Sequence, residues 1–270
     1  MPFVSSASRL EFSLESYLLA LTLIVTLGVL AWGVSLWRRD VSIVDSLWSL
    51  MFVLAAVAYF FNADATGPRA ILVLILVSVW AVRLSVYIAW RNWGEGEDYR
   101  YQEIRSNNEP NFEVKSLYLV FGLQGVLASI VSVSLMAAIN GQPQMGALDF
   151  LGASLWLIGF LFESGGDFQL SRFRANETNK GRVLDTGFWR YTRHPNYFGD
   201  FCIWWGFFFL ALSAGGWWSI ISPLLMSFLL LKVSGVTMLE RSIKERRPEY
   251  ANYVKTTNVF FPGPRKISNK

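Results

Sequence analysis

Seven long apolar stretches separated by short polar breaks set the pattern of this chain. They run over residues 16–37, 43–61, 69–90, 116–138, 148–166, 198–214 and 217–239. A helix crossing a bilayer takes about 20 mostly apolar residues, so each stretch predicts a transmembrane helix, the second and sixth being short ones. The breaks suit helix ends. Ala214-Gly215-Gly216 predicts a tight turn between two antiparallel helices, and Pro68 suits the first turn of the third helix. No soluble domain, internal repeat or low-complexity tract interrupts the series. The reading is therefore an all-α polytopic membrane protein, with residues 1–270 forming a single integral membrane domain.

Composition agrees. The chain is 53% hydrophobic and 16% charged, with a mean hydropathy of +0.35, whereas a soluble domain carries about 25% charged residues. Residues 1–15 lack the basic start and small-residue cleavage site of a secretory signal. The net charge of +4 could suggest a nucleic-acid partner, but the distribution of the cations gives another cause. Arg9 and Arg69 fall on one side of the predicted spans. Arg38, Arg39, four basic residues between 91 and 115, six between 167 and 196 and eight from 241 onward fall on the other. Cytoplasmic loops are the basic ones. The expected topology places the N-terminus outside and the C-terminus in the cytoplasm, as an odd number of spans requires. The expected location is a bacterial inner membrane or its equivalent. Neither nucleic acid nor an obligate protein partner is called for. The single cysteine, Cys202, excludes an internal disulfide and a cysteine-built metal cluster.

Among the ionisable residues of the predicted spans four stand out: Asp45, Arg83, Glu163 and Lys232. A charge there costs roughly 2.5–3.5 kcal/mol on insertion scales. All four lie near the cytoplasmic ends of their spans, which suggests one water-accessible cavity. Snorkelling accounts for the long Arg83 and Lys232 but suits the short side chain of Asp45 badly.

The most concentrated chemistry lies in Gly187-Phe188-Trp189-Arg190-Tyr191-Thr192-Arg193-His194-Pro195-Asn196-Tyr197-Phe198-Gly199-Asp200, which contains the single histidine of the chain. As a bare anchor it would be a basic end with an aromatic belt. An anchor has no need of His-Pro-Asn-Tyr or of Asp200. Upstream, a basic loop reads from Glu163 through Asp167, Arg172 and Arg174 to Lys180-Gly181-Arg182. Arginine at this density suits phosphate and pyrophosphate through bidentate hydrogen bonds. No Gly-x-Gly-x-x-Gly follows a strand, no Walker loop is present, and one histidine cannot build a usual zinc or di-iron site. No metal is expected, and any cofactor must bind by a membrane-fold route.

Several of these pieces together resemble a known superfamily. Arg193-His194-Pro195-Asn196-Tyr197 is similar to the group that joins steroid 5-alpha-reductases, sterol reductases and isoprenylcysteine-type membrane methyltransferases. Adding Asp167, Arg174, Lys180-Gly181-Arg182, Asp185-Thr186-Gly187, Trp189-Arg190-Tyr191 and Asn196-Tyr197-Phe198-Gly199-Asp200 gives a pattern that resembles the C-terminal domain of the steroid 5-alpha-reductase family, in its little-characterised bacterial branch. Val44-Asp45-Ser46-Leu47-Trp48, Arg83-Leu84-Ser85-Val86-Tyr87 and the run Gly94 to Tyr101 are similar to the same branch. The likeness is strongest over 163–262. It implies a seven-helix membrane fold holding NADPH in a cytoplasmic cavity. Asp167, Arg174, Arg182, Tyr191, Asn196 and Asp200 match cofactor-pocket positions. His194 falls within the same motif, and Arg83 and Lys232 stand where basic residues face NADPH. Lys232 departs from the usual arginine.

The resemblance implies reduction of the carbon–carbon double bond of a lipophilic, steroid- or isoprenoid-like enone that enters from the bilayer. The reductases polarise the carbonyl with a Gln-Glu pair and a tyrosine. Here the second span offers Asp45, and Trp80 stands near the tyrosine position, so Asp45 with Tyr87 as helper is the expected donor set. Trp48, Trp80 and Trp90 are candidates for lining the pocket. The alternative is a membrane methyltransferase using S-adenosylmethionine, suggested by Arg193-His194-Pro195-x-Tyr197, Glu240 and the tail Pro248-Glu249-Tyr250-x-x-Tyr253 ending at Phe261-Pro262. Against it, Leu239-Glu240 stands where those enzymes commonly carry paired glutamates.

Overall fold

A computed structural model describes residues 10–233 and 250–266. Among them every regular element is helical. Five helices are long and apolar enough to cross a membrane: α1 (Leu14–Arg38), α2 (Ile43–Phe61), α3 (Pro68–Arg91), α5 (Phe112–Asn140) and α6 (Ala147–Arg174). A short polar helix, α4 (Tyr99–Asn107), precedes α5. The last three are α7 (Pro195–Ser213), the shorter apolar α8 (Trp217–Val233) and α9 (Tyr250–Thr256). The first five expected spans thus correspond to the five candidates, and α7 and α8 cover the described part of the last two. Residues 234–239 lie outside the described residues, as do Glu240, Pro248 and Glu249.

Local chemistry sets the ends. Ser13 caps α1, its hydroxyl accepting from the Ser16 amide at 3.4 Å. Pro68 occupies the first turn of α3, where its missing N–H costs nothing. Gly215, at φ +90°, turns the chain after α7. One expectation fails at α6. Gly165-Gly166, read above as the start of a loop, continue the helix to Arg174. Their lack of side chains serves packing, because a Cβ on Gly165 would collide with the Phe188 ring and one on Gly166 would press on Pro195 and the Asn196 amide.

The chain forms two compact units. The first comprises the described part of Met1–Asp149 with Leu210–Ser222, and the second Phe150–Phe209 with the described part of Pro223–Lys270. In the first unit α2 is central and packs on α1, α3 and α5. Phe52 and Trp80 are fully buried with ring centroids 5.8 Å apart, and Trp48 meets Phe52 at 4.9 Å. Inside an apolar bundle, hydroxyl pairs between helices supply specificity that apolar contact cannot. Tyr59 pairs with Ser132 at 2.8 Å, Tyr17 donates to Ser129 at 3.1 Å, and Ser134 pairs with Ser222 at 2.9 Å.

Arg69 also belongs to this unit. Read from sequence as a loop-end cation, it is buried at 1% exposure. Its Nε donates to Asp149 Oδ1 at 2.5 Å and its Nη2 to Asp149 Oδ2 at 3.0 Å, and further donors reach the Gln142 and Gln144 carbonyls. Asp149 accepts in addition from the Gly146 amide at 2.7 Å and the Ser213 hydroxyl at 2.6 Å.

In the second unit α6 and α7 cross at glycine. Gly159 and Gly199 face each other so closely that a Cβ on either would strike the other's backbone carbonyl. One turn further along α6, the Glu163 backbone amide would meet a Cβ on Gly199. Close approach of this kind is how helices associate in lipid. It brings the polar end of α6 against the first turns of α7.

Candidate functional site

The α6–α7 crossing gathers the polar residues of the second unit. Glu163 and Asp167 lie one turn apart on α6 and are 4% and 5% exposed. On the facing chain His194 is 3% and Asp200 9% exposed. Asn196, in the first turn of α7, donates from Nδ2 to Asp167 Oδ1 at 3.3 Å. His194 stacks on Tyr197, the ring centroids 5.7 Å apart and the planes 14° from parallel. Of the expected cofactor residues, Asp167, His194 and Asp200 are thus buried near this crossing and Asn196 is half-buried there. Arg174, Arg182, Tyr191 and Lys232 are exposed on the same unit. Among the described residues no group of His, Cys, Asp and Glu has the arrangement of a metal site.

Sequence reading missed what holds this cluster in place. The loop before α7 is stapled to the segment after α9. Buried Arg193 donates through Nη1 to the carbonyls of Val254 at 2.8 Å and Thr257 at 3.2 Å, and its amide donates to the Asn258 carbonyl at 2.9 Å. A guanidinium at the C-terminal end of a helix satisfies the orphan carbonyls and matches the helix dipole. The Thr192 hydroxyl donates to the Phe260 carbonyl at 2.7 Å, and the Tyr253 hydroxyl donates to the Trp189 carbonyl. Burial first, and neighbouring Tyr250 second, push the Tyr253 phenol up, so it stays a donor. On the α6 side the Trp189 indole donates to the Gly166 carbonyl at 3.0 Å, and the Phe188 amide donates to Gln169 at 2.9 Å. Arg193 thus spends these bonds on backbone rather than on a phosphate. No local signal marks this pairing, because its partners are about 60 residues apart.

The other expected residues belong to the first unit. Asp45, at the start of α2, accepts from Arg100 Nη2 at 2.7 Å and from the Tyr101 hydroxyl at 2.6 Å. Arg100 also binds Asp98, with Nε 3.0 Å from Oδ1. Beside them Glu97 accepts from the Val41 amide at 3.0 Å and from both Nε and Nη2 of Arg105, at 2.9 and 2.8 Å. Burial would raise the Glu97 carboxyl, but hydrogen bonds from Arg105 and Val41 outweigh it and hold the group below its ordinary range. Asp98 is held low in the same way by Arg100. Burial and then the Asp45 charge push the Tyr101 phenol up, keeping it a neutral donor. The carboxylates bind the 97–105 segment to the start of α2. Asp45, expected as a substrate donor, spends its hydrogen bonds on Arg100 and Tyr101.

Tyr87 and Arg83 lie elsewhere, on one face of α3, where Ser78, Val79, Val82, Arg83, Val86, Tyr87 and Trp90 line a shallow apolar hollow. The Arg91 guanidinium sits 5.8 Å from the Tyr87 ring centroid. Trp90 is 65% exposed beside it, whereas Trp80 is wholly buried in the core and Trp48 donates to the Gln124 carbonyl at 3.3 Å.

Among the described residues, five bilayer-length apolar helices, with carboxylates, an amide and an imidazole near one helix crossing, define a helical membrane protein with a built polar site. The chain belongs to the family described as Protein of unknown function (DUF1295), whose pattern matches residues 31–257. That family is linked to steroid 5-alpha-reductase-like proteins. The chain is similar to Uncharacterized protein C594.04c of Schizosaccharomyces pombe, at 26% identity over 290 residues covering 93% of this chain and 81% of the relative. No solved structure matches.

Proposed function

We propose that this protein is an NADPH-dependent membrane reductase acting on the carbon–carbon double bond of a lipophilic enone. The observation that supports it best is the half-buried Asn196–Asp167 hydrogen bond, flanked by buried His194 and Asp200, in the segment where the resemblance is strongest. The donor set suits the cofactor. Asn196 and Asp167 offer an amide donor and a carboxylate acceptor for ribose hydroxyls or a carboxamide. Exposed Arg174 and Arg182 offer the forked donors that phosphates favour. NADPH, when bound, supplies a hydride, and the protein supplies position and electrostatics. Burial among apolar helices excludes water from that end. For the carbonyl oxygen, the proposed donor is the Tyr87 phenol, which lines the open hollow on α3. Asp45, already engaged by Arg100 and Tyr101, is proposed as the residue that positions the 97–105 segment.

The test is ligand binding to detergent-purified protein. NADPH is expected to bind and S-adenosylmethionine is not. Asn196→Ala is expected to weaken NADPH binding about tenfold, since losing one hydrogen bond to a charged group costs about 1.5–3 kcal/mol. Binding of S-adenosylmethionine in place of NADPH would move the protein to the methyltransferase class, and parent-like NADPH affinity of Asn196→Ala would refute the pocket.

The finer topology belongs to the same proposal: seven spans, the N-terminus outside, and the α6–α7 cluster facing the cytoplasm of a bacterial inner membrane or its equivalent. The basic asymmetry of the sequence supports it. A reporter that works only in the cytoplasm should give signal when fused after Lys270 and none when fused before Met1. The reverse pattern would overturn this orientation.

A further inference from the structure

The end of the chain carries a feature that neither the cofactor reading nor the spans use. After α9 the chain returns to α7. Phe260 is 5% exposed, with its ring centroid 5.5 Å from that of Phe201, while Phe261 meets the rings of Phe201 at 5.8 Å and Phe198 at 6.1 Å. Phe198 and Phe201 occupy the first two turns of α7, where its apolar run begins. The returning segment therefore lies against the end of a membrane helix, at the level where bilayer meets water.

Its backbone is fixed there. The Thr192 hydroxyl holds the Phe260 and Val259 carbonyls, the Arg193 amide holds the Asn258 carbonyl, and the Gly263 amide donates to the Tyr191 carbonyl at 3.1 Å. Held in this way, Phe260 turns inward and is buried, while its neighbours Val259 and Phe261 are 44% and 63% exposed. An apolar pair is thus presented outward by a rigid frame, next to Tyr191, itself 48% exposed.

The surrounding charges are mainly basic, and the acid Asp185 is taken up in an ion pair with Arg265. Between Tyr250 and Lys266 the charged residues are Lys255, Arg265 and Lys266, with no acid among them. Lys255 and Lys266 are exposed, as is Arg190 across the staple. The Lys266 amide donates to the Thr256 carbonyl at 2.8 Å, which keeps this cation beside the end of α9. Exposed aromatic and branched side chains ringed by lysine and arginine match an anionic bilayer surface, with apolar groups at the acyl boundary and cations among the phosphates.

We infer that Val259–Pro262 is a second membrane anchor, seated in the headgroup layer of anionic phospholipid beside the start of α7. This inference is independent of the catalytic reading, because it needs neither NADPH nor the α6–α7 cluster.

The test uses the full chain with Cys202→Ala, in bilayers of phosphatidylcholine with phosphatidylglycerol and in phosphatidylcholine alone. Nitroxide labels are placed one at a time through Val259→Cys, Phe261→Cys, Lys255→Cys and Lys266→Cys. Collision with oxygen reports lipid, and collision with a water-soluble nickel chelate reports solvent. Labels at 259 and 261 should collide several-fold more with oxygen than with nickel, and labels at 255 and 266 should show the reverse. The label at 261 should sit deeper with phosphatidylglycerol present, and Lys255→Gln with Lys266→Gln should abolish that difference. Nickel-accessible labels at both 259 and 261 would place the segment in water and overturn the inference. Labels shielded from both reagents would mean a protein cover, a second copy of this chain included, and would overturn it equally. Loss of the phosphatidylglycerol effect in the parent would overturn the anionic-lipid assignment. Should Phe261→Cys fail to fold, the label at 259 decides the same question.

Discussion

Arg69→Met is expected to lower stability by about 3–5 kcal/mol, the cost of leaving one half of a buried ion pair uncompensated. Arg69 is 1% and Asp149 0% exposed, so water cannot take over. The loss exceeds a single ion pair, because the same guanidinium serves the Gln142 and Gln144 carbonyls and donates to the Ser213 hydroxyl at 3.2 Å. One side chain therefore ties the start of α3, the 141–149 connection and the end of α7. Arg69→Lys keeps the charge but has no planar fork, so it should recover part of the loss and not all of it. The measurement is unfolding of purified protein by denaturing detergent, with parent and both variants under one condition. An Arg69→Met protein within about 1 kcal/mol of the parent would show that the pair contributes little, as some buried pairs do.

Arg69 also marks where sequence reading stops. From the sequence it is a cation just after a loop, and in a membrane protein such a residue counts toward topology. Its true partners come from 80 residues downstream at Asp149 and from the carbonyls of a connection without hydropathic signal. The long helices were legible because lipid demands about 20 apolar residues from each span, and that demand is written locally. Which residues stand near the α6–α7 site was legible too, because polar groups at the mouth of an apolar run are costly without a use. What they do to one another was not. Arg193 looked like part of a basic anchor and instead caps α9. Gly165-Gly166 looked like a helix end and instead admit Phe188 and the first turn of α7. In both cases the deciding partner lies on another element, and no periodicity or spacing around the residue itself records it.

The same limit decides the last prediction, which separates Tyr87 from Asp45. By sequence, Asp45 is the odd short acid in an apolar span. Its neighbours in space make it an acceptor for two donors, the Arg100 guanidinium and the Tyr101 phenol. Both carboxyl oxygens are thus already engaged, Oδ2 by Arg100 and Oδ1 by Tyr101. Tyr87 keeps a phenol at the lining of the α3 hollow. Tyr87→Phe should therefore leave stability and NADPH affinity near the parent, while single-turnover oxidation of bound NADPH falls by roughly 10²–10⁴-fold, the range for losing a general acid. Asp45→Asn should act differently. It weakens charge-assisted bonds worth about 1–3 kcal/mol, and stability should fall together with turnover as the 97–105 segment loosens. Both variants are compared with the parent on a panel of steroid and isoprenoid enones. Full turnover in Tyr87→Phe would remove the phenol from the mechanism. A stable Asp45→Asn protein that binds NADPH normally yet fails to turn over would return the catalytic role to the carboxylate.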